Sequence, residues 1–117
     1  MRTGARTPEE LDTLLEDAFV IRDAGALAEL FEDGAVLAGG EGSPEARGGE
    51  QIGRLAAAMW GSGRTYVAEP RRVLQARDTA LIVAERGVSV VRRGRDGAWR
   101  YAISLLSVDD TTTKEER

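Results

Sequence analysis

The spacing of apolar residues changes from helical to alternating near the middle of the chain. In "TPEELDTLLEDAF", Leu11, Leu14, Leu15, Ala18 and Phe19 recur at i, i+3, i+4, i+7 and i+8, which predicts one apolar face of an amphipathic helix. Thr7 is placed to cap it, Pro8 suits the first helical position, and Glu10 completes a T-x-x-E capping box. The helix is predicted to stop near Arg22. Asp23 then caps a shorter helix that carries Leu27, Leu30 and Phe31 and closes at Gly34. "AVLA" (35–38) reads as a short strand, and "EARG" as its return across a Gly-rich connection. Ile52, Leu55, Ala56, Met59 and Trp60 restore the helical period over 49–60, and Gly61 and Gly63 end it.

Beyond Arg64 the helical period is gone. "RTYVAEPRRVLQA" is predicted extended, with Pro70 at an edge or a bulge, and Arg77-Asp78 is a tight turn. "TALIVAE" is apolar on both faces, which predicts a strand covered on both. Arg86-Gly87 reads as a second turn, or Gly87 as a bend within one long strand. "VSVVRR" and "WRYAISLLSV" form a hairpin around "GRDG". Strict alternation puts Trp99, Tyr101, Ile103 and Leu105 on one face, predicted to lie under the helices, and Arg100, Ala102, Ser104 and Leu106 on the other. Helices first and strands afterward predict an α+β fold, with helices of the N-terminal half packed on a curved antiparallel sheet. Residues 1–117 read as one domain with its core over about 7–109 and loose ends at 1–6 and 110–117.

Composition narrows the chemistry. The chain has no Cys and no His, which excludes thiolate nucleophiles, Ser-His-Asp triads and the usual zinc sites; no metal or cofactor is expected. Acid–base work falls to Asp, Glu, Tyr and Arg, because the one lysine, Lys114, lies in the tail. A formal net charge of −4 disfavours a nucleic-acid partner. No stretch approaches the ~20 apolar residues of a membrane span, and the N-terminus lacks the pattern of a secretory signal, so a cytoplasmic location is expected.

With "RDAGALAELFEDGAVLAG", "GGEQI" and "RDGAWRYAISLLS" in these places, the chain resembles the nuclear-transport-factor-two-like superfamily from about Thr7 to Asp109. That superfamily includes ketosteroid isomerase and the SnoaL-like polyketide cyclases. The resemblance implies a cone-shaped (cystatin-like) roll, with a pocket between sheet and helices that opens near the short hairpin. It also implies a catalytic carboxylate on the first strand and an oxyanion-binding tyrosine on the first helix for the isomerases. Those positions fall on Gly39 and about Leu15 here, and the histidines that many relatives carry in the last strand are Ile103 and Leu105. The isomerase set is therefore not carried by this chain.

The candidate ligand-binding residues are Leu15, Phe19, Leu37, Gly39, Met59, Trp60, Tyr66, Tyr101 and Ile103. Gly39-Gly40 is read first as turn geometry. Tyr66 and Tyr101 either orient a ligand through a hydroxyl or pack in the core. Glu85, after "ALIVA", is the weak catalytic candidate: pointing inward it is a general base, and beside its turn it is a solvated charge paired with Arg72 or Arg92, the reading adopted. "GGEGSPEARGG" matches no phosphate-binding fingerprint, and the Arg92, Arg93 and Arg95 cluster belongs to a solvated turn. Three functions stay open: binding of a small, mostly hydrophobic molecule, an isomerase, cyclase or dehydratase with a relocated carboxylate such as Glu85, and a dimerisation module. A homodimer through the outer sheet face is expected, built on Ala102, Ser104 and Leu106.

Overall fold

Thr7 accepts the Glu10 N–H on its side-chain oxygen and starts α1 (Pro8–Ile21) in the computed structural model, which describes residues 4–39, 45–61, 70–85 and 87–106. The Glu10 carboxylate reaches back one residue further than a capping box requires, to the Arg6 N–H. Arg22, in the left-handed region, ends the helix. Asp23 caps α2 (Ala24–Ala28), which closes at Glu29 rather than at Gly34. Phe31 is consequently the first residue of β1 (Phe31–Ala38), and Gly34 lies inside that strand with a φ of 77°. β2 (Glu45–Arg47) and α3 (Gly48–Gly61) follow. The remaining strands are β3 (Pro70–Ala76), β4 (Thr79–Ala84), β5 (Gly87–Arg93) and β6 (Trp99–Leu106).

The fold is α+β: three helices among the described residues and a curved, unclosed six-stranded sheet in the order β2-β1-β6-β5-β4-β3. The meander β3 to β6 is antiparallel throughout. β4 and β5 are separate strands, with Ala84 opposite Gly87, so Gly87 is not a bend within one strand. β1 enters parallel to β6, a pairing that alternation within single strands gives no means to foresee.

The central strand does not alternate evenly. Val91 of β5 pairs with Tyr101, but its neighbour Val90 pairs with Ile103, so Ala102 is an extra residue in β6. On the other side, Phe31 pairs with Tyr101 and Val36 with Ile103, and β1 bulges through Gly34 at the same level. A one-residue insertion turns every later side chain to the opposite face. Trp99 and Tyr101 are buried under the helices as predicted, but Ile103 (55% exposed) and Leu105 (49%) point to the open face. Ala102 and Ser104 turn inward instead. The expected assignment of Ile103 to the interior, and of Ala102 and Ser104 to the outer face, is thereby reversed.

One core joins the helices to the inner face of the sheet through Leu11, Leu15, Phe19, Ile52, Ile82 and Val91. The segment before α1 is also part of it. Ala5 is fully buried, its carbonyl accepts the Trp99 N–H at 3.0 Å, and a Cβ on Gly4 would lie 2.9 Å from the Ala98 Cβ. Gly4 and Ala5, within the segment expected to be loose, thus lie against the start of β6. β4 is covered on one side: Ala80 and Ile82 are buried, whereas Leu81 and Val83 are half-exposed on the open face.

The reversed alternation has a direct test. Ser104→Lys should fail to fold, because it buries a charge with no partner, often a loss of more than ~3 kcal/mol. Ile103→Lys should keep the far-ultraviolet circular dichroism of the parent. The opposite ranking would mean that β6 alternates without a break.

Candidate functional site

Asp12 lies three residues before Leu15 and seven before Phe19, so it shares the inward stripe of α1 with them. It is buried to 2% exposure. The Tyr101 hydroxyl donates to Asp12 Oδ1 at 2.5 Å from the strand beneath, just before the bulge. Phe31 packs against the Tyr101 ring, with centroids 5.0 Å apart and planes tilted by 30°. A buried carboxyl is costly unless hydrogen-bonded, and Tyr101 supplies such a bond within a shell of apolar side chains.

Leu15, Phe19, Leu37, Met59, Trp60 and Tyr101 all belong to the same buried cluster, so six of the predicted site residues converge. The Phe19 ring meets Trp60 edge-on at 5.7 Å. The Trp60 Nε1–H is buried and finds no acceptor among the described residues. Further along the inner face, Ser89 and Ser104 stand directly opposite each other and share a buried hydrogen bond of 2.8 Å, with Leu37 and Ile82 on either side in register. Gly39 follows the last residue of β1 and is half-buried. Tyr66 lies outside the described residues. Ile103 is turned away from the cluster by the bulge.

Glu85 does not enter this interior. It is exposed just after β4 and accepts two hydrogen bonds from Arg71 on Oε1, while Arg92, one of its expected partners, is bound to Glu32 instead. The inward acid is Asp12. Its position on the stripe of Leu15 and Phe19 was the sequence signal for it.

These side chains can do two kinds of chemistry. Aromatic and aliphatic side chains would suit an apolar body, and the tyrosine–carboxyl pair and the serine pair are the polar groups set among them. Asp12 and Tyr101 together are also the carboxyl–phenol pair that acid–base work would need. Among the described residues, no cluster of acidic side chains is arranged to hold a metal ion.

No family model matches the chain, and no curated protein matches it. Solved structures do. A ketosteroid isomerase-like protein from Erwinia carotovora atroseptica superposes with a TM-score of 0.69 at 21% identity, over 86% of this chain and 92% of the other. An NTF2-like protein with a cystatin-like fold from Novosphingobium aromaticivorans gives a TM-score of 0.70 at 21% identity, over 90% and 81%. A putative dehydratase of the NTF2-like family from Streptomyces avermitilis gives a TM-score of 0.65 at 17% identity, over 86% and 91%. The fold is therefore the nuclear-transport-factor-two-like, cystatin-like one.

Removing the tyrosine hydroxyl should be felt in stability. Tyr101→Phe should lower the unfolding free energy by about 1–3 kcal/mol, because Asp12 loses a buried hydrogen bond. Chemical denaturation that shows no change would place the Asp12 carboxyl elsewhere.

Proposed function

We propose that the interior between the helices and the inner sheet face binds a small, mostly hydrophobic molecule, whose polar end is met by Tyr101 and Asp12. The observation that carries this is the carboxyl–phenol pair enclosed among apolar side chains. A buried acid adds little net stability to a core, since an apolar replacement of like volume is often as stable or more so. Polar groups placed singly in apolar walls are how small-molecule sites fix orientation. Native mass spectrometry of gently purified protein tests the reading. It should show a population heavier than the bare chain, and that population should diminish in Tyr101→Phe. A single bare mass from every preparation would argue against it.

A second reading is favoured by the same pair. In an isomerase, cyclase or dehydratase, Asp12 would take a proton from carbon and deliver it to another carbon or to a leaving oxygen, while Tyr101 would turn its single O–H from Asp12 to the developing oxyanion. The names of two structural neighbours, a ketosteroid isomerase-like protein and a putative dehydratase, point the same way. The catalytic carboxylate would then be on the first helix, in place of Glu85. Deuterium exchange at the α-carbon of simple enones separates the readings. Exchange abolished by Asp12→Asn favours the enzyme, and no exchange favours binding alone.

The outer sheet face supports pairing of two chains. Val36, Ile103, Val90, Leu81 and Leu74 form one register row across five strands, and Ala38, Leu105, Val88 and Val83 form the next. Such a continuous apolar surface is unusual on a lone domain. A two-fold axis through it would match each row against its own copy. Light scattering should give twice the mass of one chain, and Ile103→Arg should halve it without unfolding. A monomeric parent at micromolar concentration would contradict the pairing.

A further inference from the structure

A groove of about 630 Å³ runs along the flank of α1, between that helix, α2 and the first residues of β1 and β6; Tyr101 and Asp12 do not line it. Small side chains create the concavity: Ala26, Ala28, Gly49 and Ala98 stand where larger residues would fill it. Its floor is apolar, from Leu14, Ala18, Leu30, Phe31 and Trp99, and Ile21 is 66% exposed on its wall. Its charge is one-sided. Asp17, Glu29, Glu32 and Asp33 line it against a single guanidinium, Arg100.

That guanidinium is already engaged. Arg100 binds Asp96, and with the Ala98 N–H it holds the Asp96 carboxyl well below the usual carboxylate range. Glu32 is likewise held by Arg92. Asp17, Glu29 and Asp33 form no ion pair among the described residues. Three carboxylates with no direct ion pair, two of them (Glu29 and Asp33) within reach of the Arg100 charge that Asp96 already holds, thus border an apolar trough, whose α1 wall from Leu14 to Ile21 is about 10 Å long at the helical rise.

The geometry points to a docking site for a short basic, amphipathic segment of a partner protein, with its apolar residues on the Leu14–Ala18–Leu30 floor and its lysines or arginines against Asp17, Glu29 and Asp33. Long basic side chains suit such a groove, because their methylene stems cover apolar surface while the cationic head reaches an acidic rim. Helical ligands in grooves present anchors at i, i+3, i+4 and i+7, and this trough has room for about two turns of them. Opposed charge also steers encounter and selects basic partners over acidic ones. The proposal is distinct from ligand binding by Tyr101 and Asp12, neither of which lines the groove, although Ala18, Leu30, Phe31 and Trp99 are shared with the buried cluster.

The test uses a fluorescein-labelled peptide of about 14 residues, with leucine at the anchor positions and lysine elsewhere, and a twin carrying glutamate for lysine. Fluorescence anisotropy should show binding of the lysine peptide and not of its twin. Asp17→Asn/Glu29→Gln/Asp33→Asn should weaken binding about tenfold. A control, Glu9→Gln/Glu45→Gln/Glu50→Gln, removes the same formal charge from other exposed sites and should bind as the parent does. Equal loss in both triple variants would mean attraction to bulk negative charge and would overturn the proposal. So would absence of binding, equal binding of the glutamate twin, or displacement of the peptide by an equal concentration of spermidine, which would make the groove a polyamine site.

Discussion

The extra residue at Ala102 is the constraint on which the architecture turns. β6 is paired on both sides, and both partners break register at its level, β1 through Gly34 and β5 between Val90 and Val91. Before the break, Trp99 and Tyr101 are carried into the core; after it, Ser104 takes over the inward position and Ile103 and Leu105 are sent outward. An even strand would have buried two more large aliphatic side chains and put a serine on the surface. The sheet would then have had a larger core and a less apolar outer face.

Two polar pairs within that core constrain how its layers meet. Ser89 and Ser104 sit opposite each other on adjacent strands, so a slip of either strand would strand two hydroxyls against apolar neighbours. Tyr101 and Asp12 join sheet to helix, and rotation of α1 about its axis would separate them. Each pair adds little net stability while intact and costs more when split. Their effect is on uniqueness of packing. By contrast, the exposed bridges Arg71–Glu85, Arg92–Glu32 and Arg93–Asp78 lie at the surface, where such pairs contribute at most about 1 kcal/mol.

Much of this was legible in the sequence. Helical spacing, the Thr7 and Asp23 caps and the turn at Arg77-Asp78 fixed the helices and most strands, and the resemblance fixed the fold. The interior residues Leu15, Phe19, Leu37, Met59 and Trp60 were also readable, because an apolar stripe identifies its buried side. What failed was strand parity. A bulge in β6 leaves no local mark, since Ala102 is an ordinary strand residue and only the partners' registers reveal it. Asp12 was missed for a related reason: a charge at the edge of an apolar stripe is usually solvated, and its partner is 89 residues away. Gly34 looked like a helix terminator because a positive φ serves a bulge as well as a cap.

The attachment of Ala5 to Trp99 bears on how the chain is made. The segment before α1 and strand β1 both find partners in β6, so elements from the N-terminal third must wait for β6 to be made. While the ribosome still holds β6, α1 has no Tyr101 beneath it, and its apolar stripe has no sheet to cover it. Contacts this distant along the chain are slow to form and leave sticky surface exposed meanwhile. A nascent chain therefore carries the α1 stripe uncovered until β6 has left the exit tunnel.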